Sequence, residues 1–294
     1  MDISENFSFN EVLSCAKDDA SRALYEDLNG ETSINDLTAS LIDSKRMAKA
    51  TIVAREEAVI CGLPWAHAAL KQLDPEVKIE SLVEEGQVCG VDQIVMRVHG
   101  RACEILTAER TALNFLQLLS AVATQTNRYV HAISQVPNNR AVIVDTRKTI
   151  PGLRTAQKYA VTMGGGLNHR IGLFDAILIK ENHISAAGGI AEVMRRAKAK
   201  IKEATFIEIE VENLSELEQA LEAGAEMILL DNMTLVDMRR AVEINAGRAI
   251  LEVSGGVNFS SVLDIAATGV NRISIGALTK DIKAIDFSMR FEEF

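Results

Sequence analysis

The chain has few cysteines: Cys15, Cys61, Cys89 and Cys103 all lie toward its N-terminal end, with no C-x-x-C pair among them. That spacing argues against a disulfide framework or a zinc site, and the cytoplasm is the compartment it fits. No apolar run approaches the roughly 20 residues that cross a bilayer. The opening MDISENFSFNEVLS has neither a basic n-region nor an apolar h-region, so a soluble, unexported protein is expected. Basic charge is also in deficit, with 31 Lys and Arg against 41 Asp and Glu and a formal net charge of −10. A surface of that sign repels a nucleic-acid backbone or an anionic membrane, although it permits a local basic pocket. Low-complexity linkers and internal repeats are absent too. With 48% hydrophobic and 24% charged residues, the composition is that of a chain able to bury a full core.

Against this acidic background, VDTRKTIPGLRTAQKYAVTMGGGLNHR, residues 144–170, gathers Arg147, Lys148, Arg154, Lys158, His169 and Arg170 around one acid, Asp145. Such a concentration of cations is best explained by an acidic ligand, because a guanidinium holds a carboxylate or phosphate through two parallel hydrogen bonds.

At 294 residues the chain suits one large domain plus one small one. FNEVLSCAKDDASRALYEDL has helical spacing, whereas TIVAREEAVICGL and VDQIVMRVHGRACEIL alternate as strands do. Thr107 is placed to cap a long buried helix that follows. From about residue 140 short β-branched runs alternate with helical stretches: six strands in strict β/α order, hence parallel pairing with right-handed crossovers. The tail KAIDFSMRFEEF alternates again and is expected to return to the small domain's sheet.

Each parallel strand ends in a chemically useful residue: Arg147 and Lys148; Lys180; Glu210; Asp231; Ser254 with Gly255 and Gly256; and Gly276. A β/α barrel opens all its strand C-termini onto one face, which favours a barrel over an open sheet. SGGV and IGALT at the last two strand ends match the backbone cradle that barrels build for a phosphate, although a lone Gly-Gly is often a plain turn. Glu210 and Asp231 read either as acceptors for loop N–H groups or as a pair that binds ribose hydroxyls or Mg²⁺ and stabilises an oxocarbenium-like carbon. Gly164 to Gly166 would end a helix or form a lid. His169 is expected at the ligand; His67, His99 and His131 read as structural, and His183 as a ligand contact or a loop cap.

ERTALNFLQLLSAVAT, DTRKTIPGLRTAQKYAV, GGGLNHRIGLFDAILIKENH, IEIEVENLSELEQALEAGAEMILLDNM, LEVSGGVN and ISIGALT, in this order, closely resemble the quinolinate phosphoribosyltransferase family. The resemblance covers nearly the whole chain. It implies an α/β sandwich over residues 1–116, joined by the tail 280–294, and an incomplete seven-stranded α/β barrel over 117–279, the type II phosphoribosyltransferase fold. It also implies a cytoplasmic homodimer, Mg²⁺, and the conversion of quinolinate and phosphoribosyl pyrophosphate into nicotinate mononucleotide, pyrophosphate and CO₂. Arg147, Lys148, His169, Arg170 and Lys180 then match the quinolinate pocket, joined by Thr146 and by Arg110 reaching in from the partner subunit. Glu210 and Asp231 match the acidic pair at the ribose and metal, Lys148 joining them in catalysis, and Ser254, Gly255, Gly256 and Gly276 the 5′-phosphate loops. Ile150 and Lys280 depart from residues common in the family, threonine and histidine.

Overall fold

Residues 7–30 and 32–293 are described by a computed structural model, which divides into two compact units. The first helix, α1 (Phe9–Leu28), begins at a reciprocal cap. The Ser8 N–H donates to Glu11 Oε2 at 2.7 Å, and the Glu11 N–H donates to Ser8 Oγ at 3.3 Å, satisfying two donors that a helix start leaves free.

The unit containing α1 draws on Met1–Asn127, Ile150–Gly165 and Asp281–Phe294. Its strands are β1 (Met47–Ala54), β2 (Ala58–Val59), β3 (Lys78–Ser81), β4 (Val88–Cys89) and β5 (Ile94–Arg101); α2 (Leu63–Leu73) lies between β2 and β3. β12 (Phe287–Glu293), from the end of the chain, pairs antiparallel with β1, and the main sheet runs β12-β1-β5-β3. Ala50, Ile52 and Ala54, two apart on β1, pack with Ala66, Ala69 and Leu70 of α2 and with Ile105, Ala108 and Ala112 of α3 (Ala102–Ser134), giving a helix layer on a sheet.

Three sequence expectations change here. ACEIL is helical, not extended: β5 ends at Arg101, whose N–H donates to Asp74 Oδ2 at 3.1 Å, and the chain enters α3 at once at Ala102. Thr107 therefore lies inside the helix instead of capping it, with its hydroxyl donating to the Cys103 carbonyl oxygen at 2.9 Å. Residues 150–165, expected within 117–279, pack in this unit. The buried Ala156, Ala160 and Val161 of α4 (Arg154–Met163) join Val12, Trp65 and Phe115 in one apolar cluster. Gly165, at φ +85°, supplies the left-handed residue after α4.

The second unit comprises Arg128–Thr149 and Gly166–Lys280. β6 (Val142–Val144), β7 (Ile177–Ile179), β8 (Ile207–Val211), β9 (Met227–Asp231), β10 (Ile250–Ser254) and β11 (Arg272–Ser274) form a parallel sheet in the order β6-β11-β10-β9-β8-β7. A single parallel bridge between Val144 and Leu167 adds a seventh, one-residue rung beside β6. From β7 the strands run in chain order to β11, then come β6 and Leu167, and no pairing closes Leu167 onto β7 among the described residues, so the barrel is incomplete. The intervening helices are α5 (Glu181–Ala187), which the sequence pattern had not indicated, α6 (Ile190–Lys198), α7 (Leu214–Glu222), α8 (Leu235–Asn245), α9 (Val262–Ala266) and α10 (Ala277–Lys280).

Strand alternation sorts this unit's residues. Ile209, Val211, Ile228, Leu230, Leu251 and Val253 are buried in the core shared with the helices. Their neighbours Glu208, Glu210, Leu229, Asp231, Glu252 and Ser254 must face the barrel interior.

In the first unit, the Trp65 Nε1–H donates to Asp19 Oδ2 at 2.8 Å, with Trp65 fully buried. Asp19→Leu leaves that donor unmet and is expected to cost about 1–3 kcal/mol by urea unfolding. Asp19→Asn, which keeps an acceptor, should cost less.

Candidate active site

The strand C-termini of the second unit open into a cavity of about 610 Å³. It is lined by Thr146, Arg147, Lys148, His169, Arg170, Lys180, Glu210, Asp231, Ser254, Gly255 and Gly256, all singled out from the sequence. Gly276 lies beside it: a Cβ there would sit 2.8 Å from Lys148 Cδ, so the absent side chain gives the lysine its room. Arg110 is exposed on α3 in the first unit and is not part of this cavity.

Leu178, Leu229, Asn232, Glu252 and Ser274 complete the lining and had not been picked out. Neither had Glu208 and Arg272, buried at the same depth as Glu252. A signal existed: Glu208, Glu252 and Arg272 each stand two residues before a cavity-facing residue, Glu210, Ser254 and Ser274, inside apolar runs.

Asp145 organises the cationic side. Fully buried, it accepts from Asn168 Nδ2 at 2.6 Å and from the His169 N–H at 2.9 Å, which ties the strand end to the turn carrying His169 and Arg170. Asp175 accepts from the N–H groups of Ile171 and Gly172 at 2.7 and 2.8 Å and closes that turn on its far side. Arg170 Nη1 donates to the Ala176 carbonyl oxygen at 3.3 Å, and Thr279 Oγ1 donates to the Lys148 carbonyl oxygen at 2.8 Å. Arg147 Nε is buried without an acceptor. Burial and the nearby Arg147 charge hold Arg170 below the ordinary guanidinium range. Two like charges are thus kept together at the cost of mutual repulsion.

His169 lines the cavity with both ring nitrogens engaged by protein groups. Nδ1 accepts the Arg170 N–H at 2.8 Å, and Nε2 lies 2.6 Å from Glu208 Oε2. Glu252 Oε1 is 3.6 Å from the same Nε2, and Glu252 Oε2 accepts from Arg272 Nε at 2.8 Å. Burial, then the charge of Glu252, lifts Glu208 to about 7. Burial alone would depress His169, but Glu252 and Glu208 together raise it above its ordinary value.

On the opposite side, Lys180 Nζ donates to Glu210 Oε2 at 3.0 Å, and Asn232 Nδ2 donates to Asp231 Oδ2 at 2.8 Å. His183 caps α5, its Nδ1 accepting the Lys180 N–H at 3.0 Å. Glu210 and Asp231 end adjacent strands, β8 and β9, and face the same cavity. Hard carboxylate oxygens offered in ones and twos beside a phosphate cradle are what Mg²⁺ takes, so this donor set fits that ion. The cradle follows β10: Gly255 has φ +96°, and a Cβ on it would fall 2.1 Å from Asn232 Oδ1. Only glycine fits there, with its backbone open to a ligand.

An incomplete parallel barrel with a cationic cavity, an acidic pair and a glycine cradle at its strand ends defines a class of enzyme acting on phosphorylated, multiply anionic substrates. Comparison with known proteins narrows the class. The chain belongs to the quinolinate phosphoribosyltransferase family: the family's C-terminal domain matches residues 122–290 and its N-terminal domain residues 36–120. It is 41% identical over 288 residues to the chloroplastic nicotinate-nucleotide pyrophosphorylase [carboxylating] of Oryza sativa subsp. japonica, covering 92% of this chain and 76% of that protein. A probable nicotinate-nucleotide pyrophosphorylase [carboxylating] of Bacillus subtilis (strain 168) is 37% identical, covering 86% of this chain and 87% of that one. The solved nicotinate-nucleotide pyrophosphorylase of Francisella tularensis superposes with a TM-score of 0.88 at 46% identity, covering 94% of this chain and 97% of that one.

Gly255→Ala should impose both the left-handed strain and the Asn232 clash. Inorganic phosphate, titrated by calorimetry, is expected to bind at least about tenfold more weakly to this variant, as for one or two lost charge-assisted hydrogen bonds.

Proposed function

We propose that the chain transfers the phosphoribosyl group of phosphoribosyl pyrophosphate to the ring nitrogen of quinolinate, with loss of CO₂, in de novo NAD biosynthesis. The observation that carries this reading is the pairing of Arg147 and Arg170, two cavity-lining guanidiniums close enough for one charge to depress the other. A dicarboxylate is the ligand that relieves that repulsion, each carboxylate taking a planar fork. Family membership, through relatives named for nicotinate-nucleotide pyrophosphorylase activity, supports the reaction.

In this reading Arg147, Lys148, Arg170 and Lys180 orient the two carboxylates so that the ring nitrogen meets the ribose carbon. His169 backs them from the floor. Ser254, Gly255, Gly256 and Gly276 hold the 5′-phosphate. As the bond from C1′ to the pyrophosphate oxygen breaks, C1′ becomes cationic; Glu210 and Asp231 stabilise it while the nitrogen's lone pair forms the new bond. The ring nitrogen is then positive, so the adjacent carboxylate departs as CO₂, leaving its electron pair on a carbon stabilised by that charge, which takes a proton from solvent. The residues supply position and electrostatics, and little proton transfer is asked of them.

Mg²⁺, held by Glu210 and Asp231, would neutralise the pyrophosphate. The active form is a homodimer in which Arg110, exposed on α3, reaches the partner's site. The four free cysteines suit a cytoplasmic setting, although plant relatives are named chloroplastic or mitochondrial. No helix among the described residues is long and apolar enough to cross a membrane.

Carboxyl-labelled quinolinate, phosphoribosyl pyrophosphate and Mg²⁺ should give labelled CO₂ and nicotinate mononucleotide in equal amounts, with nicotinate unable to replace quinolinate; binding without either product would refute the reading. Arg170→Ala should raise the KM for quinolinate more than that for the sugar donor. Glu210→Gln should lower kcat by about 100-fold, the loss of roughly 3 kcal/mol of transition-state stabilisation, while quinolinate still binds.

A further inference from the structure

At the floor of the cavity, where Glu252 still joins the lining, lies a layer of buried charge that no part of the proposed reaction uses. Glu208 of β8 and Glu252 of β10 are fully buried, and Arg272 of β11 is 4% exposed. Arg272 Nε pairs with Glu252, while Glu208 turns to the imidazole of His169. The three acidic and imidazole groups are close enough to hold a metal ion. Arg272 already answers the charge of Glu252, however, and the short Nε2 contact already gives Glu208 a partner.

The backbone decides how that contact is made. The Arg170 N–H can only donate, so the Nδ1 it meets at 2.8 Å must offer a lone pair. A neutral imidazole with a lone pair at Nδ1 carries its proton at Nε2, where Glu208 Oε2 receives it at 2.6 Å. Moving the proton to Nδ1 would set it against the Arg170 N–H and push the backbone of residue 170 away. The T-shaped contact with Phe206, with centroids 5.4 Å apart, packs against the ring from a third side.

We propose that Glu208 is a positioning residue for the dicarboxylate pocket: by taking the Nε2–H of His169 it fixes the tautomer that lets Nδ1 hold the Arg170 backbone, and so sets where the Arg170 guanidinium points. Glu208 touches no substrate. It acts through two hydrogen bonds in series, on affinity for one substrate and not on the bond-making step. The inference deepens the proposed function and rests on it for the identity of the dicarboxylate.

The test has two arms. In the first, ¹⁵N-labelled histidine in the wild-type protein at pH 7.5 is read by long-range ¹H–¹⁵N correlation, with the His169 signals identified by their loss in His169→Asn. A protonated Nε2 and an unprotonated Nδ1 are expected; a protonated Nδ1, alone or with Nε2, would overturn the proposal. In the second, Glu208→Leu should raise the KM for quinolinate about tenfold, the effect of about one hydrogen bond. Its kcat and the KM for phosphoribosyl pyrophosphate should stay within about twofold, since neither depends on one oriented guanidinium. Glu208→Gln, whose amide oxygen can still accept, should restore the wild-type KM to within about threefold. A folded Glu208→Leu with unchanged quinolinate KM, or a Glu208→Gln as impaired as the leucine variant, sinks the idea. Should Glu208→Leu fail to fold, the tautomer and the glutamine variant decide it. Absence of quinolinate turnover in the wild type would defeat the functional reading alone, and the tautomer would then decide the placing of Arg170.

Discussion

Everything in the second unit depends on the two-residue alternation of its parallel strands. Five-residue segments such as β8 and β10 must bury one face against helices and turn the other toward the barrel interior. Ile209 and Val211 satisfy the first demand while Glu208 and Glu210 take the second, and the same division recurs at Leu251 and Val253 against Glu252 and Ser254. Because parallel strands share a direction, their second faces stack in layers. The outer layer opens into the cavity, whereas of the inner charges Glu252 reaches its lining and Glu208 and Arg272 do not. One geometric rule therefore supplies both the apolar core and the polar site.

The electrostatics follow from depth. Lys180 and Glu210 pair at the rim, where solvent moderates both charges. Arg147 and Arg170 sit lower, where repulsion between them is felt and a bound dianion gains most. Deeper still, Glu208 is answered by His169 and Glu252 by Arg272 through short contacts. Affinity for an anion comes from the middle level, and the level beneath it fixes where those cations stand.

Much of this was legible from residue patterns alone. α1 spans the residues whose helical spacing the sequence displays, and the six parallel strands fall in the alternating runs from residue 140 onward. The strand-end residues converge because they sit within the last residues of parallel strands or soon after them. The sequence was less informative where tertiary contacts overruled local pattern. RACEIL alternates as a strand would, yet the Asp74 hydrogen bond to Arg101 turns the chain into α3. Residues 150–165 lie between barrel strands in sequence, but their small apolar face, Ala156 and Ala160, is matched to Trp65 and Phe115. Glu208 and Arg272 escaped notice because a charge inside an apolar run carries meaning only once its partners are known, and these partners lie 39 and 20 residues away.

The buried charge layer also bears on how the chain is made. Glu208 and Glu252 leave the ribosome before Arg272, the cation that balances the layer. Until residue 272 emerges, sinking Glu252 into the barrel interior would cost several kcal/mol as an uncompensated ion, whereas His169, the partner of Glu208, has already been made. Burial of the interior face of β10 is thereby disfavoured until β11, its neighbour in the sheet, is available to answer it.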